Sequence, residues 1–180
     1  MSQRPFILWL LGPTSSGKST LAELLTLALR GREVPIIHFD GDEVRDFFGP
    51  GHGFAPADRQ RVVATLVHLA NKSREAGLNV VVSALTANPD ARAYVLASIA
   101  DLITGFVRCP IEVCAARDPK GLYAKANSGE IDTLIGANSE YLAPEDPDIV
   151  LDTEANDREA LIDLLLTDLQ RRGYLQNSES

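Results

Sequence analysis

Gly12-Pro13-Thr14-Ser15-Ser16-Gly17-Lys18-Ser19 decides how the chain is read, because it fits the pattern G-x-x-x-x-G-K-[S/T] in full. Its setting fits too. Phe6-Ile7-Leu8-Trp9-Leu10-Leu11 before it is an unbroken apolar run between Pro5 and Gly12, the signature of a strand covered on both faces of a parallel sheet. After it, Leu21, Leu24, Leu25 and Leu29 recur at helical spacing from Gly17 to Arg30, and Gly31 supplies a stop. A strand, a glycine-rich turn and a helix N-terminus together make an anion cradle, since successive N–H groups and the positive end of the helix dipole converge on one point. The backbone of Gly12, Ser15, Ser16 and Gly17 would surround the phosphates of ATP, with Gly17 allowing close approach. Lys18 would reach the β- and γ-phosphates, and the Ser19 hydroxyl would bind Mg²⁺.

Outward from this loop, strand and helix patterns alternate. Strands are expected at Pro35–Phe39, Leu78–Ala84, Ile103–Val107 and Asp148–Asp152. Helices are expected at Asp58–Ala76, Pro89–Leu102, Ile111–Arg117 and Asp157–Arg172. The predicted fold is α/β: a P-loop NTPase-type parallel sheet of about five strands flanked by helices. Phe47–Ala57 and Asp118–Pro147 lack periodicity, and long aperiodic loops inside a compact domain are commonly lids or binding loops. The organisation expected is one domain over 1–175, with a lid at about 118–146 and a disordered tail at 176–180.

Composition narrows the function. With 180 residues, 45% hydrophobic and 23% charged, the chain suits one globular domain. Its net charge of -8 argues against a nucleic-acid partner, which needs a basic surface, but leaves a nucleotide ligand open. Cys109 and Cys114 lack zinc spacing and are expected to be reduced thiols. The Phe6–Leu11 run is too short to span a membrane and has no cleavage site after it. A cytoplasmic protein with a small-molecule partner follows as the expectation.

The acceptor side is read from three segments. Asp40-Gly41-Asp42-Glu43-Val44-Arg45 sits at the carboxyl end of the second strand, the edge where open parallel sheets bind ligands. One carboxylate could orient the metal, and the other could take the proton from an attacking hydroxyl. The same residues also fit an acidic turn and helix cap. Arg45 and Arg59 flank Gly49-Pro50-Gly51-His52-Gly53-Phe54 and would clamp an anionic acceptor. Arg117-Asp118-Pro119-Lys120-Gly121-Leu122-Tyr123 carries the cations Arg117 and Lys120, suited to neutralising a transferring phosphoryl group.

These blocks, in this order, resemble the adenylylsulfate (APS) kinase family, which phosphorylates the ribose 3′-hydroxyl of adenosine 5′-phosphosulfate. Weaker echoes stand at Ser83, Gly129-Glu130-Ile131, Gly136, Tyr141, Pro144 and Leu151-Asp152-Thr153. The resemblance implies that Lys18, Ser19 and Thr20 hold the ATP phosphates and Mg²⁺. It implies that Asp40 and Asp42 serve metal and acceptor, with Asp42 as general base. Arg45, Phe54 and Arg59 would bind the acceptor nucleotide, Phe54 by stacking on its base. Ser83 would lie near the transferring group, Lys120 would enter from the lid, and Arg117 and Thr153 would lie near the ATP adenine. Members are often dimers, so a homodimer is an expectation of the same kind.

The resemblance breaks at the acceptor. Where the family pattern places an asparagine, this chain has Val62. Ala84-Leu85-Thr86-Ala87 replaces Phe-Ile-Ser-Pro, and Leu134-Ile135-Gly136-Ala137 replaces Phe-Thr-Gly-Ile, removing a second aromatic. Each lost polar or stacking contact is worth about 1–3 kcal/mol. Three outcomes stay open: an APS kinase with a rebuilt pocket, a related kinase for another nucleotide conjugate such as cytidine diphosphoramidate, or a catalytically silent nucleotide-binding module.

Overall fold

The computed structural model describes residues 4–49 and 55–176. It contains a five-stranded sheet: β1 (Ile7–Leu11), β2 (Ile36–Asp40), β3 (Asn79–Ser83), β4 (Leu102–Arg108) and β5 (Ile149–Asp152), in the order β2-β3-β1-β4-β5. Every pairing is parallel. The seven helices among the described residues are α1 (Lys18–Arg30), α2 (Gly41–Phe47), α3 (Pro56–Glu75), α4 (Pro89–Ser98), α5 (Ile111–Arg117), α6 (Leu122–Asn127) and α7 (Arg158–Arg171).

Alternation along β1 builds two cores, because successive strand residues face opposite sides. Phe6, Leu8 and Leu10 pack with Leu21, Leu25 and Leu29 of α1 and with Leu165 and Leu169 of α7. Ile7, Trp9 and Leu11 pack on the other side with Leu66 and Val67 of α3 and Val95 of α4. The continuous apolar run is therefore the mark of a strand with no solvent face. Trp9 is fully buried, and its indole N–H donates to Thr86 Oγ1 at 2.9 Å, which satisfies its one polar atom.

The expected elements all occur, and their ends differ where local chemistry intervenes. Gly31 closes α1 with φ -62, and the left-handed residue of that turn is Glu33 at φ 59. α4 stops at Ser98, short of Leu102, because Ile99 turns extended and buries its side chain as the chain drops into β4. Two short helices add to the expected set. α2 begins inside the acidic turn, capped by Asp40, whose side chain accepts from the Asp42 amide at 2.8 Å. α6 lies in the lid and is only six residues long. Neither is long enough to display a helical repeat.

A parallel sheet sends all its carboxyl ends to one edge. Gly12 follows β1, Asp40 ends β2, Ser83 ends β3 and Thr153 follows β5, so four distant segments meet there.

Candidate active site

The phosphate loop is held by steric necessity at its first residue. A Cβ on Gly12 would lie 2.4 Å from the Val107 carbonyl oxygen, so no side chain fits. Ser15 (φ 63) and Gly17 (φ 100) take left-handed conformations that curl the loop toward the start of α1. The first amides of a helix have no partner within it, and here they open onto the cleft. Ser16 Oγ is buried and lacks a protein partner, an orphan that suits an incoming phosphate oxygen. Lys18, 9% exposed, reaches back to donate to the carbonyls of Gly12 at 2.9 Å and Pro13 at 2.7 Å. Burial lowers its ammonium to about 8, against the opposing pull of Asp42 and Asp40.

Asp40 is the hub of the site. Its Oδ2 accepts from Ser19 Oγ at 2.5 Å and from Ser83 Oγ at 2.6 Å, while Oδ1 caps α2. Burial pushes its carboxyl up, but the hydrogen bonds from Ser19, Ser83 and the Asp42 amide prevail and hold it below the ordinary value. Asp40 is thus an ionised acceptor whose oxygens are taken. By drawing the Ser19 proton to itself, it leaves that hydroxyl's lone pairs toward the cleft. Oxygen donors of this kind fit a hard cation such as Mg²⁺ that also binds substrate phosphates. The described residues contain no cluster of three or more His, Cys, Asp or Glu side chains that would hold a metal unaided.

Asp42 lies one turn of backbone away. Its Oδ1 pairs with Arg45 of its own helix, and its Oδ2 accepts from Lys120 Nζ at 2.6 Å across 78 residues of sequence. Burial raises this carboxyl as well, but Lys120 and Arg45 outweigh it and the net shift is downward. Burial opposes the Lys120 charge, and the bond to Asp42 overrides that and raises its ammonium above the ordinary value. Arg59 donates to the Thr133 carbonyl at 2.5 Å, and burial followed by the neighbouring Arg45 charge lowers its guanidinium. Both guanidiniums line the cleft that contains Asp42, where Arg45 is its ion-pair partner.

The lid is tied to the loop at two points. Arg117 donates to Thr153 Oγ1 at 3.1 Å and to its carbonyl at 2.7 Å, and Thr153 Oγ1 donates to the Ser16 carbonyl at 2.9 Å. The Tyr123 hydroxyl donates to the Thr14 carbonyl at 3.2 Å. Tyr123 is buried in a lid core with Cys109, Cys114, Ala126 and Leu134, and burial lifts its phenol to about 12, so it stays a donor. Both cysteines are free and buried.

The adenylylsulphate kinase family model matches residues 4–152. The chain belongs to that family. It is 38% identical over 153 residues to a probable adenylyl-sulfate kinase of Archaeoglobus fulgidus, covering 85% of this chain and 99% of the relative. It is 34% identical to an adenylyl-sulfate kinase of Gloeothece citriformis over 98% of this chain and 100% of the relative. Among solved structures it is similar to the Mycobacterium tuberculosis APS kinase CysC in complex with AMPPNP and APS, with TM-score 0.88, 31% identity, and 93% and 99% coverage of the two chains.

Against the adenylylsulphate kinase pattern, Val62, Leu134 and Ile135 come together with Arg59 on the wall of one cleft of about 1250 Å³ that also contains Lys18 and Asp42. Ala84, Leu85, Thr86 and Ala87 line the same cleft, so each of the three departures has residues facing it. Leu134 is 5% exposed and belongs to the lid core, so the position of the missing aromatic is now a packing position. Thr20 also lines the cleft. Phe54 and His52 lie outside the described residues. Ser83, 2% exposed, sits behind Asp40 and directs its hydroxyl there. Two residues given no role by sequence reasoning stand out. Tyr123 lay inside a quoted block without an assigned contact. His38 places Nε2 2.8 Å from Ser83 Oγ, and its signal was a polar residue two before Asp40, on the same face of β2.

Proposed function

We propose that this chain transfers the γ-phosphoryl group of ATP to the 3′-hydroxyl of adenosine 5′-phosphosulfate, giving 3′-phosphoadenosine 5′-phosphosulfate and ADP. The observation that carries this is Asp42: an ionised carboxylate in the same cleft as Lys18 and Ser19, and bonded to a lid lysine. Family membership and a relative bound to both AMPPNP and APS support the same acceptor.

In this reaction Asp42 receives the proton of the acceptor hydroxyl as the O–P bond forms. Arg45 and Lys120 each occupy one of its oxygens, and the remaining lone pairs are free to accept. Its lowered pKa keeps it ionised at neutral pH, so it orients and accepts without having to lose a proton first. Lys18 leaves the loop carbonyls for the β- and γ-phosphates, and Lys120 offsets charge on the transferring group from the opposite side. Arg45 and Arg59 hold the acceptor's phosphosulfate. Arg117 and Thr153 border the ATP base, and Ser16 and Gly17 shape the phosphate turn. Ser19, with Asp40 behind it, would hold Mg²⁺, which would neutralise phosphate oxygens when bound. The kinase domain is residues 1–175, working in the cytoplasm where ATP is available.

A coupled ADP-release assay tests this with a panel of acceptors. ADP release with APS, and a 3′-phosphorylated product, is expected. Turnover only with cytidine diphosphoramidate would reassign the acceptor, and ATP binding with no turnover on any acceptor would mark a silent module.

A further inference from the structure

His38 stands outside every residue block that carries the function, yet it is bonded into its centre. Along β2, Ile36, His38 and Asp40 face the α1 side of the sheet, and Asp40 is in register with Ser83 on β3. His38 Nε2 thereby lies 2.8 Å from Ser83 Oγ, which lies 2.6 Å from Asp40 Oδ2.

The proton order in this chain follows from counting. Ser83 has one hydroxyl proton. Asp40 accepts at both oxygens: Oδ1 takes the Asp42 amide at 2.8 Å, and Oδ2 takes the Ser19 hydroxyl proton at 2.5 Å. If the Ser83 proton pointed to His38, two bare oxygens would face each other at 2.6 Å, which is repulsive. The Ser83 proton therefore goes to Asp40, and its lone pair must accept from a proton on His38 Nε2. The neutral Nε2–H tautomer and the imidazolium both carry that proton, so the donation does not depend on the charge of the ring.

We propose, resting on the assignment of Ser19 and Asp40 to the metal side of phosphoryl transfer, that His38 is a positioning residue. It donates Nε2–H to Ser83, fixes that hydroxyl's rotor on Asp40, and so keeps Asp40 aimed at Ser19. The relay His38→Ser83→Asp40←Ser19 runs from the second strand to the first turn of α1. Without His38, a hydroxyl in a 2% exposed site loses its donor and turns among its staggered orientations. The effect falls on the geometry of the reacting complex and so on kcat. The binding of either substrate is untouched by it.

Two measurements decide it. A long-range ¹H–¹⁵N spectrum of labelled protein reads the tautomer without substrate or metal, and the His38 signal among the chain's three histidines is the one absent in His38→Gln. A proton on Nε2 is expected, with a shifted resonance in Ser83→Ala, and a lone Nδ1–H tautomer would overturn the inference. In steady-state kinetics, His38→Leu is expected to lose about tenfold in kcat with both KM values within about twofold. His38→Gln, whose amide reaches to the same point, restores most of it. In a Ser83→Ala background, His38→Leu costs nothing further. Wild-type kcat in His38→Leu, or additive losses in the double variant, would sink the positioning role. Should the leucine variant fail to fold, His38→Gln and the tautomer still decide. An enzyme silent toward APS would refute the function while the tautomer answered for His38 separately.

Discussion

The two halves of the cleft are built by different means. The half proposed to bind ATP is made of backbone turns and short polar side chains, each tied to the next: Lys18 on the loop carbonyls, Ser19 and Ser83 on Asp40, Thr153 on Ser16. The half proposed to hold the acceptor joins an ionised carboxylate, Asp42, to an apolar wall of Val62, Leu134 and Ile135 and to Arg45 and Arg59. A hydrogen-bonded cradle tolerates few changes, because removing one partner strands another. An apolar wall can be rebuilt by volume-conserving exchange at little cost. The difference accounts for an intact G-x-x-x-x-G-K-[S/T] turn in the first half beside the departures at Val62 and Leu134-Ile135 in the second.

The comparison breaks most readily at Lys18. Lys18→Ala removes the only cation on the loop itself, and kcat is expected to fall by on the order of 10³-fold or more in the ADP-release assay. Activity near wild type would show that the ATP half is not the engine. Next comes Asp42→Asn, which keeps the shape and removes the proposed base. Its kcat is expected to drop by about 10²–10⁴ with the KM for ATP little changed, and an unaltered kcat would move the base elsewhere.

Acidity separates the halves again. Lys18 is charged below about 8 in the free enzyme and neutral above it. Its contribution to binding phosphates is therefore present at low pH and lost as pH rises, so kcat/KM for ATP should decline above about 8. Bound phosphates favour the ammonium, so kcat itself should stay level further into base. Asp42 and Asp40 have lowered pKa values, so the carboxylates stay active well into acid, and the acid limb should fall below the ordinary carboxylate value of 3.8. A full pH–rate profile checks both limbs. The smallest effect is expected at the wall: Val62→Asn restores one polar contact and should raise kcat/KM for APS by about 3–10-fold. A loss there would mean that the wall suits a different base.

Much of this was legible in the sequence because it is written in contiguous residues. The glycine-lysine-serine turn, the all-apolar strand before it and the acidic step after β2 each carry their meaning locally. Of the short helices, α2 was legible only at its start, as the acidic cap, and α6 not at all, since seven and six residues show no period. The Asp42–Lys120 bond, 78 residues apart in sequence, was foreseeable only as two candidates for one site. The roles of His38 and Tyr123 depend on which face of a strand or lid meets which neighbour. Strand alternation hints at the first, and nothing in the spacing points to the second.

Calorimetric titration of a non-hydrolysable ATP analogue into the protein in magnesium buffer tests the central claim most directly. Saturable binding at one site per chain, abolished in Lys18→Ala, is the result expected. No measurable interaction of the wild-type protein with any nucleoside triphosphate would contradict the account at its root.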